Sequence, residues 1–203
     1  MATAASPMLV LLLIQLSILF HLPDSSIALA ALATPPQNTT SRKEHRQPPL
    51  VQSTCNSTSF YDLCVAALAA DPSSSTADVP GLCAIAVSAA AANASGTAAF
   101  LSNASDAAEA DRALLRTCAG KYAAARDALL AARVSLAEQD YDYAFVHVSA
   151  AAEYPAVCRT LFRRQQRASR TTAYPPEVAK REEALRRLCS ITLDIISQLQ
   201  MQE

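Results

Sequence analysis

The chain has 203 residues, 17 basic against 18 acidic side chains and a formal net charge of −1. That length accommodates one domain with a leader and a tail, and the near-neutral balance excludes a global attraction to nucleic acid. Only three glycines occur (Gly81, Gly96 and Gly120) and no G-x-S-x-G is present, which excludes phosphate-cradling loops and a hydrolase nucleophile elbow.

Met8 to Phe20 is an apolar run of 13 residues. It is too short to span a bilayer, which takes about 20 residues, but fits the core of a secretory signal. Small residues follow, and Ala28-Leu29-Ala30 or Ala31-Leu32-Ala33 suits cleavage, so residues 1–33 read as a signal peptide. No Lys or Arg precedes the run, so only the terminal amine supplies positive charge there. All four asparagines of the chain, Asn38, Asn56, Asn93 and Asn103, open an N-x-Ser/Thr triplet, as in a glycoprotein of the secretory route. Asn56, beside Cys55, reads as the least accessible and the other three as exposed. The expected location is extracellular, with no membrane attachment once the signal is removed.

Residues 34–50 are rich in Pro, Thr and charge and show no apolar period, which predicts a flexible linker. The domain proper is expected over 51–203, where Ala and Leu dominate and β-branched runs are absent, so the fold class is all-α. A helical hairpin is expected over 51–70, a break at Asp71-Pro72-Ser73-Ser74-Ser75, and long helices over 80–104, 106–137, 140–165 and 176–201. The second long helix carries Leu115, Cys118, Tyr122, Ala125, Leu129, Ala132 and Leu136 at alternating spacings of 3 and 4, a single apolar seam. The third continues it with Ala144, Val148, Ala151, Cys158 and Phe162 and should kink at Pro155. The fourth offers Leu185, Leu188, Thr192, Ile195 and Leu199. Four such helices with short connections predict an up-and-down four-helix bundle preceded by the hairpin.

Six cysteines are present, no C-x-x-C occurs, and only one histidine, His147, falls within the domain, so disulfides rather than a metal site are expected. Cys118 lies 20 residues before Glu138 and Cys158 lies 20 after it. Residues equidistant from a turn lie level in an antiparallel helix pair, so these two can bridge with little distortion. Cys55 and Cys64 are nine residues apart, about 13 Å on a continuous helix, and can pair only across a turn, for which Asn56-Ser57-Thr58-Ser59 is suited. Cys83 and Cys189 remain, about 13 Å apart in height by the same counting; free buried thiols are favoured, with a bridge as the alternative.

With these residues in place, the chain resembles the plant invertase and pectin methylesterase inhibitor family over residues 51–203. The elements that carry the resemblance are Cys55-x8-Cys64 with Tyr61 between, Ala66-Ala67-Leu68 leading to Asp71-Pro72-Ser73, and Leu115-Arg116-Thr117-Cys118-Ala119-Gly120-Lys121-Tyr122. Asp140-Tyr141, Val148-Ser149-Ala150-Ala151 and Cys158-x3-Phe162 complete them. The resemblance implies an inhibitor rather than an enzyme, without cofactor, acting on pectin methylesterase or on acid invertase, one inhibitor to one target. Invertase inhibitors typically carry Pro-Lys-Phe before the third bundle helix. Here the stretch reads Tyr141-Asp142-Tyr143, which favours pectin methylesterase. By register from the bundle cysteines, acidic positions implicated in that branch fall on Asp127, Asp140 and Glu153, while the family's polar positions 124, 157 and 160 are Ala124, Val157 and Thr160. The expected target contacts, on a polar face of the second and third bundle helices laid across the substrate cleft, are Lys121, Asp127, Asp140, Tyr141, Asp142, Tyr143, His147 and Glu153. A wall glycoprotein without an enzyme target is the alternative of another class.

Two charge features stand outside that scheme. The carboxylate pairs Asp140/Asp142 and Glu182/Glu183 read as helix-start acids or a solvated face. Arg163, Arg164, Arg167 and Arg170 form a basic cluster without interleaved aromatics, a solvated helix end and loop with attraction for acidic polysaccharide.

Overall fold

Ala and Leu lose little side-chain freedom in a helix, and the chain uses them accordingly. The computed structural model describes residues 48–103, 109–169 and 173–202, and among these lie six α-helices and no strand. They are α1 (Pro49–Asn56), α2 (Tyr61–Ala69), α3 (Val79–Ser102), α4 (Glu109–Ala137), α5 (Tyr141–Ser169) and α6 (Pro176–Gln200). The expected signal segment 1–33, Asn38 and the linker up to residue 47 lie outside the described residues.

Helix starts follow local chemistry. Pro49 and Pro176 open α1 and α6, where a missing N–H costs nothing. Asp78 caps α3, its Oδ1 accepting from the Gly81 N–H at 2.8 Å. Asp71 ends the hairpin by accepting from the Ser73 N–H at 2.9 Å ahead of a 3-10 turn over Pro72–Ser75. The α5 helix runs unbroken through Pro155, which is buried. The absent Pro155 N–H leaves the Ala151 carbonyl without its usual helical donor, and no break in the helix accompanies it.

Around the bundle, α4 packs along α3 and α5, and α6 packs along α5 and α3. This closed order of neighbours is the up-and-down arrangement. Every seam position expected on α4, α5 and α6 is buried, from Leu115 to Leu136, from Ala144 to Phe162 and from Leu185 to Leu199. Ala90, Ala94, Ala125, Ala132, Ala144 and Ala151 are buried at the helix contacts, and such small side chains let helix axes approach toward the near end of the usual 8–10 Å range.

Two disulfides lock this arrangement. Cys118 and Cys158 bridge α4 to α5 with Cα atoms 5.1 Å apart, and Cys55 and Cys64 bridge α1 to α2 at 5.6 Å. The hairpin is also tied to α6: the Ser59 N–H donates to Asp194 Oδ2 at 2.7 Å, and Arg187 and Arg186 lie over the Phe60 ring at 5.3 and 5.9 Å. Cys83 and Cys189 are free and buried, and burial pushes both thiols up to about 12, so they stay protonated.

The α4–α5 connection is a Schellman motif. The Asp140 N–H donates to the Ser135 carbonyl at 2.8 Å and the Gln139 N–H to the Leu136 carbonyl at 3.1 Å, with Gln139 in the left-handed region at φ 61°. Asp140 then caps α5 through an Oδ1 that accepts from the Tyr143 N–H at 3.1 Å. One helix therefore ends and the next begins within three residues, 138–140.

At the opposite pole a polar cluster joins α5 to α6. Glu182 is only 6% exposed, so it is not the solvated helix-start acid that its place in the sequence suggests; it occupies the seam one turn ahead of Leu185. Its carboxylate accepts from the Arg159 guanidinium and, at 2.7 Å, from the Tyr174 hydroxyl. The Tyr174 ring packs edge-on to Phe162, centroids 5.2 Å apart. Burial, then the hydrogen bond to Glu182, raise the Tyr174 phenol well above its ordinary value, and burial with the Glu182 charge does the same to Tyr122. Raised folded-state values mean that this contribution to stability is complete below pH 10 and is lost as the pH climbs beyond it.

Gln139→Gly should raise stability in urea titration by about 0.5–1 kcal/mol, the left-handed strain of about 1–2 kcal/mol less glycine's entropic cost. Asp140→Ala should lower it by about 1 kcal/mol through loss of the cap. A destabilised Gln139→Gly protein would contradict the turn. Glu182→Gln should cost about 1–3 kcal/mol, because Arg159 and Tyr174 donate to different oxygens, one of which becomes an NH2 donor as the charge is lost; a change under about 0.5 kcal/mol would show that the cluster contributes nothing beyond an ordinary surface group.

Candidate target-binding surface

The disulfide between Cys118 and Cys158 and the turn at 138–140 set α4 against α5 residue by residue. Counting equal rises from these pins puts Val134 level with Asp142, Leu130 with Val146, and Ala123 with Glu153. Opposite the seam, α4 exposes Arg116, Gly120, Asp127, Leu130 and Val134, and α5 exposes Tyr143, Val146, Glu153 and Val157. The spacings on α5 follow the helical period, so each set forms one outward strip.

The sequence-expected contacts distribute unevenly over these strips. Asp127, Asp142, Tyr143 and Glu153 are exposed, and Lys121, Asp140 and His147 are half-buried. Tyr141 departs from expectation: at 8% exposure it belongs to the core and cannot present its ring to a partner. The reason is periodic, since Tyr141, Ala144, Val148 and Ala151 continue the seam at spacings of 3, 4 and 3. Tyr143, two residues on and 63% exposed, is the aromatic that faces outward.

Most of the acidic side chains are already engaged within the chain. Asp127 accepts from Nε and Nη2 of Arg126 at 2.9 and 2.6 Å. Asp142 accepts from Nε2 of Gln200 at 2.7 Å, and Asp140 holds its own helix start. Engaged carboxylates are poor sources of new affinity, which shifts attention to what surrounds them. Of nine large apolar side chains exposed among the described residues, five lie on α4 and α5: Leu130, Val134, Tyr143, Val146 and Val157. Apolar groups rimmed by charged ones are the composition of a protein docking face. Sequence reasoning passed over the four aliphatic ones because it sought polar contacts. The available signal was that Leu130, Val134, Val146 and Val157 are apolar yet lie off the seam.

Among the described residues no group of three His, Cys, Asp or Glu is placed to bind a metal ion. Of the sequons, Asn56 and Asn103 are exposed, against the expected shielding of Asn56 by its cysteine neighbour. Asn93 is half-buried with its Oδ1 enclosed, because it lies beside the buried α3 positions Ala90, Ala94 and Thr97.

Known proteins match this chain along most of its length. A rice protein named pectinesterase inhibitor 28 (Oryza sativa subsp. japonica) is 60% identical, with 74% of this chain aligned to 69% of that one. An Arabidopsis thaliana protein named cell wall / vacuolar inhibitor of fructosidase 2 is 41% identical over 74% of this chain and 83% of its own. Crystal structures of an Arabidopsis pectin methylesterase inhibitor, one a mutant form and one not, superpose with TM-scores of 0.57 and 0.52 at 21% identity. They cover 72% and 73% of this chain and 95% of theirs, and share its fold. The profile of the plant invertase/pectin methylesterase inhibitor family matches residues 49–195, beginning where α1 begins, and this helical, doubly bridged chain belongs to that family.

Proposed function

We propose that the chain is a protein inhibitor of pectin methylesterase, and not an enzyme. The observation that carries the choice of target is the 60% identity to a pectinesterase inhibitor against 41% to a fructosidase inhibitor. The missing Pro-Lys-Phe, replaced by Tyr141-Asp142-Tyr143 at the start of α5, points the same way. Inhibition of acid invertase is the second reading, favoured by the fructosidase-inhibitor relative alone.

The inhibitory face is the outward side of α4 and α5. Each helix has 29 residues, so the pair offers a strip about 40 Å by 20 Å, on the order of 800 Å², one partner's share of a standard protein interface. Leu130, Val134, Val146 and Tyr143 form its apolar patch, in the half of the strip next to the α4–α5 turn, and Lys121, Asp127, Asp140, Asp142, His147 and Glu153 its polar surround. One inhibitor covers one enzyme and keeps the pectin chain out of the cleft by occupying it, so no bond is made or broken. The apolar leader at 8–20 and the sequons support secretion into the cell wall, with residues 1–33 removed and a linker that ends ahead of Pro49, two residues short of the expected bound because α1 begins there.

Mixing the purified chain with pectin methylesterase and, separately, with acid invertase should abolish the first activity and spare the second; the reverse outcome would assign the invertase branch. Leu130→Asp or Val146→Asp should weaken inhibition about tenfold or more, as loss of an apolar contact worth about 1.4 kcal/mol or more does, with the urea midpoint unchanged. Full potency in both variants would remove α4–α5 as the docking face. Expressed through a secretory host, the chain should carry glycans at Asn56 and Asn103 and none at Asn93; enzymatic deglycosylation and peptide mass read this directly, and an occupied Asn93 would mean that α3 opens there.

A further inference from the structure

The bundle is nearly neutral as a whole but its charge is segregated along α5. From Glu138 to Glu153 there are four carboxylates and no Lys or Arg, whereas from Tyr154 to Pro176 there are five arginines and no carboxylate. The acidic half lies at the α4–α5 turn, and the basic half at the pole where α5 ends and α6 begins.

Five arginines are neutralised by carboxylates: Arg126 by Asp127, Arg181 by Glu177, Arg186 and Arg187 by Glu183, Arg159 by Glu182. Arg163, Arg164 and Arg167 are different. All three are exposed, and none has an ion pair among the described residues. Arg159 and Glu182 register α5 against α6, so the exposed Lys180 lies about level with Leu161, within a turn of the arginines. Glu177, the carboxylate level with Arg164, is held by Arg181 at 2.9 Å. A helix C-terminus favours cations within its last turn, which accounts for Arg167 and not for Arg163 and Arg164.

We infer that this pole is a binding surface for a linear polymer bearing closely spaced carboxylates, namely de-esterified galacturonan. Guanidinium groups pair bidentately with carboxylates. Residues 163 and 167 are separated by about 6 Å of helix rise, so long flexible side chains can engage successive acids of one strand. Neutral, fully esterified polymer offers no such partner. The inference rests on the pectin methylesterase reading, whose reaction converts neutral methyl esters into these carboxylates; the inhibitor is then retained where its target has already acted. Absence of aromatic side chains among the arginines disfavours single-stranded nucleic acid, which stacks its bases on such rings.

The test uses the full mature chain on immobilised galacturonan, de-esterified or fully methyl-esterified, with duplex DNA as a third surface. Retention on the de-esterified polymer should be at least tenfold stronger than on the ester and fall steeply between low and physiological salt. The triple variant Arg163→Gln, Arg164→Gln, Arg167→Gln should lose at least tenfold of it and flatten the salt dependence, while the triple Lys variant, which keeps the charge without the fork, binds more weakly than the native chain with its salt dependence still steep; circular dichroism melts verify folding of both. Equal retention on the ester, undiminished retention of the Gln variant, or preference for DNA would overturn the inference. Inhibition of pectin methylesterase, assayed on a short soluble ester without polymer, reports on the target separately: its failure alongside intact polymer binding would remove the target and not the surface.

Discussion

Two pins hold α4 and α5 in one register: the Cys118–Cys158 bridge toward one pole and the three-residue turn with Gln139 in its left-handed conformation at the other. A slip of one residue along either helix rotates its side chains by about 100°. Such a slip would bring Leu130 or Val146 toward the seam and expose Leu129 or Val148. Closing a loop of 40 residues by a disulfide is worth roughly 4 kcal/mol in the chain-entropy view, whose mechanism is disputed. Its larger role here is to permit one arrangement of the outward strip. The proposed inhibitory face exists because that register does.

Electrostatics follow the same axis. Acidic groups at the start of α5 and Arg167 in its last turn both complement the helix dipole, and the turn carboxylate Asp140 serves as the cap itself. Glu182 is the exception within the interior. A carboxylate buried at 6% exposure is stabilising only while its partners remain, and Arg159 with Tyr174 supplies them from α5 and from the segment entering α6. The pole that carries the exposed arginines is therefore fixed from inside by a paired one.

The helices, their order, the seam and both bridged cysteine pairs were legible in the sequence, because each rests on counting: a 3–4 period, a turn position, equal distances from it. What escaped was of another kind. Tyr141 reads as a surface contact through the Asp140-Tyr141 turn that carries the resemblance, although the seam period extends back to it. Glu182 sits on the seam at the spacing of an apolar residue, and its polarity hid its burial. Asn93 looked exposed as a sequon should, yet adjoins three buried α3 positions in a helix so rich in alanine that no stripe stands out. The exposed aliphatic residues of the outward strip are marked only by lying off the seam. Periodicity reports which residues face the core, and says nothing of which outward residues another protein would cover.

The alanine-lined contacts between helices have a thermodynamic consequence for recognition. Close, small-residue packing together with covalent cross-links leaves few soft torsions to freeze when the face is covered. Side chains such as Val134 and Val146 bring only one rotatable bond each, and their branched β-carbons already confine it. Ordering costs at an interface run to about 0.5–1.5 kcal/mol for each immobilised, rotamer-rich side chain. A stiff double helix presenting short side chains avoids much of that loss, so a modest area can give tight association by rigid-body approach alone.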